Sequence, residues 1–168
     1  MNFDNILILP DNRVKGLSIS LTTTAGEYIA WFNEFGQKNK LEEQRPVLTS
    51  RSANMIRKRL IDDLTMGAVI PPIVLGLSVE GNLGEVTVEN VGEFISQHLE
   101  EATVIDGMQR SNALSQALLL KEEISSNRLR IDFWLANDAI SLIYRMLVLN
   151  TGQTPWDVKG KWKLSINL

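Results

Sequence analysis

The sequence predicts a single mixed α/β domain, a small mixed sheet flanked by helices. Three observations predict it. Two stretches alternate apolar and polar residues with many β-branched side chains, Val14–Thr24 and Leu129–Leu135. Three others place apolar residues at helical spacing, Ala25–Phe35, Ser50–Met66 and Gln109–Ile124. At 168 residues and 44% hydrophobic, the chain is long and apolar enough for one domain with a buried core.

The elements follow in order. Ile6–Pro10 is a short apolar stretch flanked by Asp4 and Asp11; without a basic start it does not read as a secretory signal. Val14–Thr24 is a strand. Ala25–Phe35 is a helix with Tyr28, Ile29, Trp31, Phe32 and Phe35 at helical spacings, closed by Gly36. Gln37–Gln44 reads as a loop and Arg45–Thr49 as extended, because Pro46 restricts Arg45. Ser50–Met66 is a helix with an apolar stripe Met55, Ile56, Leu60, Leu64, ended by Gly67. Ile70–Leu77 is a buried strand entered through Pro71-Pro72.

Residues 80–101 read as an acidic insertion, with a short strand Glu85–Glu89 and a short helix near Glu93–Leu99. Ala102–Asp106 is a strand, Gln109–Ile124 a helix and Leu129–Leu135 a strand. Asn137-Asp138 caps a last helix, Ala139–Leu149. The tail from Thr154 to Leu168 is assigned no element. The order is strand, helix, helix, strand, strand, helix, strand, helix, which places the whole chain, 1–168, in one domain.

Composition excludes several chemistries. The absence of cysteine removes disulfides, thiolate catalysis and thiolate metal sites, and fits a cytoplasmic protein. A single histidine, His98, cannot build a His-rich zinc site, and no motif joins it to a serine and an aspartate. There is no P-loop and no GxGxxG. No apolar run reaches the length of a membrane span, so no membrane partner is expected. The net charge of −3 argues against a wholly basic nucleic-acid binder, but it is unevenly spread. Residues 36–60 carry seven Lys/Arg against two Glu, whereas residues 80–101 carry six Glu and neither Lys nor Arg. Such a split either draws phosphates to one face or marks two ordinary solvated surfaces.

One segment carries chemistry. In Val104-Ile105-Asp106-Gly107-Met108-Gln109-Arg110, a strand runs through Asp-Gly directly into a helix. The first-turn N–H groups of that helix have no intrahelical acceptor and carry positive partial charge. Gly107 permits close approach to the backbone, and Gln109, Arg110, Ser111 and Asn112 bring donors to the same place. Arg110 offers a permanently charged fork. Asp106 reads as an orienter of an arginine, a Mg²⁺ ligand, or an acceptor from ribose or water. An Asp-Gly turn before a helix also occurs with no ligand at all.

Val104–Leu114 resembles the Asp-Gly-Gln-X-Arg signature of the ParB/sulfiredoxin superfamily, in its DndB-like and GmrSD-like branches. Asp106, Gly107, Gln109, Arg110 and Ala113-Leu114 match, while Met108 stands where those families usually have Gln. Gly67–Leu75 resembles the family's entry into a core strand through Pro-Pro-Ile-Val, and Arg145–Pro155 its helix ending in Asn; together the resemblance spans about residues 45–155. It implies an α/β fold that binds a nucleoside triphosphate with Mg²⁺ at that helix start, with Asp106 and Arg110 as catalytic residues. Gly107, Gln109, Arg110, Ser111, Arg45, Arg51 and Asn150 would contact phosphate or line the pocket. It further implies NTP hydrolysis in a DNA-modification, restriction or phage-defence system, with an effector partner or a homo-oligomer. Sulfinic acid reduction needs the cysteine this chain lacks. The other readings are a non-catalytic DNA-binding or protein-adaptor module on the same fold, using the helix 50–66 and Lys159, Lys161 and Lys163, or a domain that keeps the turn for packing alone.

Overall fold

The computed structural model describes residues 1–37 and 51–151, with the side chains of 51–53 and 148–151 left aside. It is a five-stranded mixed sheet with helices on both faces, as the sequence predicts. The strands are β1 (Asp4–Asp11), β2 (Gly16–Thr24), β3 (Ile73–Ser78), β4 (Thr103–Asp106) and β5 (Arg128–Ala136). The helices are α1 (Ala25–Trp31), α2 (Arg51–Thr65), α3 (Val91–His98), α4 (Met108–Leu120) and α5 (Ala139–Thr151). Sheet order is β1-β2-β5-β3-β4. All neighbours are antiparallel except β3 and β5, which run parallel.

Alternation along the strands sorts the two faces. Ile19, Leu21, Ile73, Leu75, Leu77, Leu129, Ile131, Phe133 and Leu135 point to one side, where α1 to α4 close the main core. Val74, Ile105, Trp134 and Ala136 point to the other, where Leu142 and Met146 of α5 cover them. Gly76 lets that second layer close, since a Cβ there would sit 2.5 Å from Ile105 Cδ1. Arg145 pairs with Asp11 and lies over Trp134, and Arg13 lies over Tyr144, so α5 is also held at its polar rim.

The structure departs from the sequence reading in four places. The apolar stretch Ile6–Pro10 lies in edge strand β1, with Leu7 and Leu9 exposed on its outer side. The expected strand Glu85–Glu89 is absent. A 3₁₀ turn at Leu83–Glu85 takes its place, because Asn82 Oδ1 accepts from Gly84 N, Asn90 Oδ1 accepts from Thr87 N and Asn90 Nδ2 donates to Glu85 O. Side chains thus satisfy the backbone groups a ladder would need. The acidic stretch also contributes Leu83, Val91 and Ile95 to the main core. Helix α4 stops at Leu120, where Lys121 turns extended, and a separate 3₁₀ turn covers Glu122–Ser126. Finally, α2 buries Leu64 and turns Arg57, Leu60 and Ile61 inward, leaving Met55 and Ile56 exposed. Arg45–Thr49 and the tail fall outside the described residues.

Candidate phosphate site at the start of α4

The site is built by the passage from β4 into α4. Val104 of β4 is fully buried, so the strand is anchored, while Asp106 at its end is exposed. Gly107 then adopts φ +107° and ψ 7°, a left-handed conformation that side chains rarely accept. A Cβ there would also lie 3.1 Å from two carbons of Ile73 and 3.2 Å from Arg110 Nη2. Glycine is therefore required twice, for its backbone and for its missing side chain.

No side chain caps α4. The first intrahelical bond is Ser111 N to Gly107 O, 2.8 Å. The N–H groups of Met108, Gln109 and Arg110 meet no acceptor among the described residues. They form the positive end of a 13-residue helix.

Arg110 is held in place. Its Nη2 donates to Asp106 Oδ2 at 2.8 Å and to the carbonyl of Pro72 at 3.0 Å. Nε is buried without a partner among the described residues. The guanidinium side chain is 23% exposed and the Asp106 carboxylate 51%, so the pair opens to solvent from one side. The expectation that Asp106 orients an arginine thus corresponds to a direct contact. Pro72 enters through its carbonyl, which a proline keeps although it has no N–H. Gln109 is exposed at the same turn, and its side chain makes no hydrogen bond among the described residues.

Ser111 requires a correction. It is fully buried, donates to Gly107 O at 3.0 Å, and shares a 2.6 Å bond with the phenol of Tyr28. Its hydroxyl is committed to holding α4 against α1 and cannot serve a ligand at the surface. Tyr28 was missed by sequence reasoning, where it counted only as one of the apolar residues of its helix. Burial pushes its phenol above the usual range, against the opposing effects of the Ser111 bond and the Arg110 charge, so it stays protonated. Met108 packs on the main core, which removes its side chain from any ligand role.

The remaining expected residues are partly placed. Lys121 Nζ, just past α4, donates to Thr65 O at the end of α2 at 3.1 Å, and the two helices pack on one another. Arg51 opens α2. The side chain of Arg51 is not described. Asn150 lies in the last turn of α5, again without a described side chain, and Arg45 lies outside the described residues. His98 is structural: Nδ1 bonds to Phe94 O at 2.9 Å and its ring packs on Phe94. Trp31 is buried and donates to Leu99 O.

Two concavities lie elsewhere. One of about 170 Å³ sits between Gly76, Thr103, Ile105 and Leu142, and one of about 40 Å³ beside Leu64, Leu114 and Leu129. Neither includes Gly107, Gln109 or Arg110 in its lining. Among the described residues no three His, Cys, Asp or Glu side chains cluster as a metal would need, and no helix is long and apolar enough to cross a membrane. Comparison with protein-family models, curated proteins and solved structures finds no match to this chain.

Proposed function

We propose that the chain is a nucleotide-binding domain of ParB/sulfiredoxin type, which takes the phosphates of a nucleoside triphosphate at the start of α4. The observation that carries this reading is the uncapped turn at Gly107: three N–H groups without acceptors, beside an arginine already fixed in position. A phosphate there would accept from Met108, Gln109 and Arg110 N–H, and from the exposed Gln109 side chain. Arg110 would supply charge through Nη1, which Asp106 and Pro72 leave free. Asp106, neutralised by Arg110, would not repel the anion. Its exposed oxygen is the one protein ligand we assign to Mg²⁺, which would otherwise be held by water and phosphate oxygens. Hydrolysis, where it occurs, would rest on positioning and charge stabilisation of an attacking water by Arg110. A setting in DNA modification, restriction or phage defence follows from the resemblance of Asp106–Arg110 to the DndB-like and GmrSD-like signature.

The test is a thermal-shift panel of ATP, GTP and CTP with Mg²⁺ on wild type and Arg110→Ala. At least one nucleotide should raise Tm in wild type, and the response should vanish in the variant. A flat panel, or an equal response in both proteins, sinks the reading. Phosphate release from the nucleotide that binds then decides whether it is turned over.

A further inference from the structure

The outward face of α2 carries a pattern that is its own complement. Met55 is 56% exposed, Ile56 65% and Met66, just past the helix, 76%. Between them Lys58, Arg59, Asp62 and Asp63 are all exposed, and none makes an ion pair among the described residues. At 100° per residue, Met55, Arg59, Asp62 and Met66 fall within about 60° of one another, opposite the inward Arg57, Leu60, Ile61 and Leu64. An exposed row of large apolar side chains on a helix marks an interaction surface.

The order of residues selects the occupant. Reversing the helix about a point between Leu60 and Ile61 sets Arg59 against Asp62, Lys58 against Asp63 and Met55 against Met66. Each basic residue meets an acidic one and each apolar end meets an apolar end. A parallel copy would instead set Arg59 against Arg59 and Asp62 against Asp62. Self-complementarity under a two-fold axis is what an isologous interface requires.

We infer that two copies of this chain associate through α2 packed antiparallel on α2. At each end, Met55 and Ile56 of one copy pack on Met66 of the other. A 15-residue helix is about 22 Å long, so the contact is smaller than a standard interface of about 800 Å² per partner. Association should therefore be reversible at micromolar concentration. The inference does not rest on the nucleotide reading, and its readout is mass.

Sedimentation velocity over a concentration series tests it. Wild type should shift from monomer to dimer as concentration rises. Arg59→Asp sets like charges against Asp62 and Asp63 of the other copy, and should weaken association at least about tenfold. Arg59→Asp combined with Asp62→Arg restores opposite charges across the axis and should recover the dimer. Lys58→Asp/Arg59→Asp mixed with Asp62→Arg/Asp63→Arg should form the heterodimer, while neither self-associates. A wild type that stays monomeric throughout overturns the inference. So does a dimer that Arg59→Asp leaves intact, which would place the interface on another surface, such as the edge of β1. Circular dichroism checks that each variant is folded, and an unchanged nucleotide shift in Arg59→Asp would separate this surface from the α4 site.

Discussion

Two helices in this fold begin in opposite ways. At the start of α1, Thr24 Oγ1 accepts from Glu27 N at 3.3 Å, and Glu27 reaches back to the hydroxyls of Thr23 and Thr24 and to Asn2. Ala25 N is likewise taken, by Asn127 O, and a carboxylate sits on the positive end of the helix. At the start of α4, Gly107 supplies no side chain, and the nearest carboxylate, Asp106, is bound to Arg110. One start is closed by its own residues. The other leaves its first three N–H groups without an acceptor among the described residues. A helix start informs about function by what it leaves unsatisfied, and the contrast weighs more than the Asp-Gly pattern alone.

The largest effect should come from the anchor beneath the open start. Tyr28 is fully buried, stacks on Phe32 and holds Ser111. Tyr28→Ala should cost about 3–5 kcal/mol in chemical denaturation. Tyr28→Phe keeps the ring and removes one hydrogen bond, so about 1 kcal/mol is expected. If the two variants cost the same, the hydroxyl rather than the ring is the anchor.

Gly107→Ala comes next. It forces a Cβ into a left-handed residue and against Ile73, for a loss of about 1–3 kcal/mol. It should also weaken nucleotide binding, because the turn that aims the N–H groups must shift. A variant as stable as wild type would mean that the turn relaxes without cost, and that the open start is not held rigidly.

Arg110→Ala separates stability from function. Its ion pair with a half-exposed carboxylate is worth less than about 1 kcal/mol. The nucleotide-induced rise in Tm should nevertheless disappear. A large loss of stability without nucleotide would assign Arg110 to the scaffold instead.

The legibility of these features in the sequence follows the range of the forces behind them. Strands β2 and β5 are plain, because alternation is a local property that burial of one face enforces. β1 is not, since an edge strand needs no buried outer side and this one is broken by a register shift near Asn5 and by Pro10. The open start of α4 is readable from strand, Asp-Gly and helix. The inward turn of Ser111 is readable too, since it falls three residues before Leu114 on the buried stripe Ser111, Leu114, Ala117; its polarity suggested a ligand donor instead. The Tyr28–Ser111 bond spans 83 residues and no local pattern encodes it. The same holds for Pro72 O against Arg110, and for the outward turn of Met55 and Ile56, which depends on the position of α4. Thr24-Ala25-Gly26-Glu27 spells a capping box in the sequence, and with it the comparison drawn above.

The smallest expected effect tests the closed start. Burial raises the pKa of the Glu27 carboxyl, but hydrogen bonds from Asn2, Thr24 and Thr23 outweigh it and hold the net value below the usual carboxylate range. A carboxyl whose folded pKa lies below its unfolded one binds fewer protons when folded. Its contribution is then complete above the unfolded value, near pH 4.5, and is lost as pH falls through the lower folded one. Wild type should therefore lose stability on acidification below about pH 4.5, and Glu27→Gln should flatten that part of the profile. At neutral pH the same variant keeps an acceptor oxygen and loses only the charge at the helix start, so about 0.5 kcal/mol is expected. Nucleotide binding at α4 should not change in it. If Glu27→Gln keeps the full acid loss, other carboxylates set the acid limit, and the closed start of α1 is held by Thr24 alone.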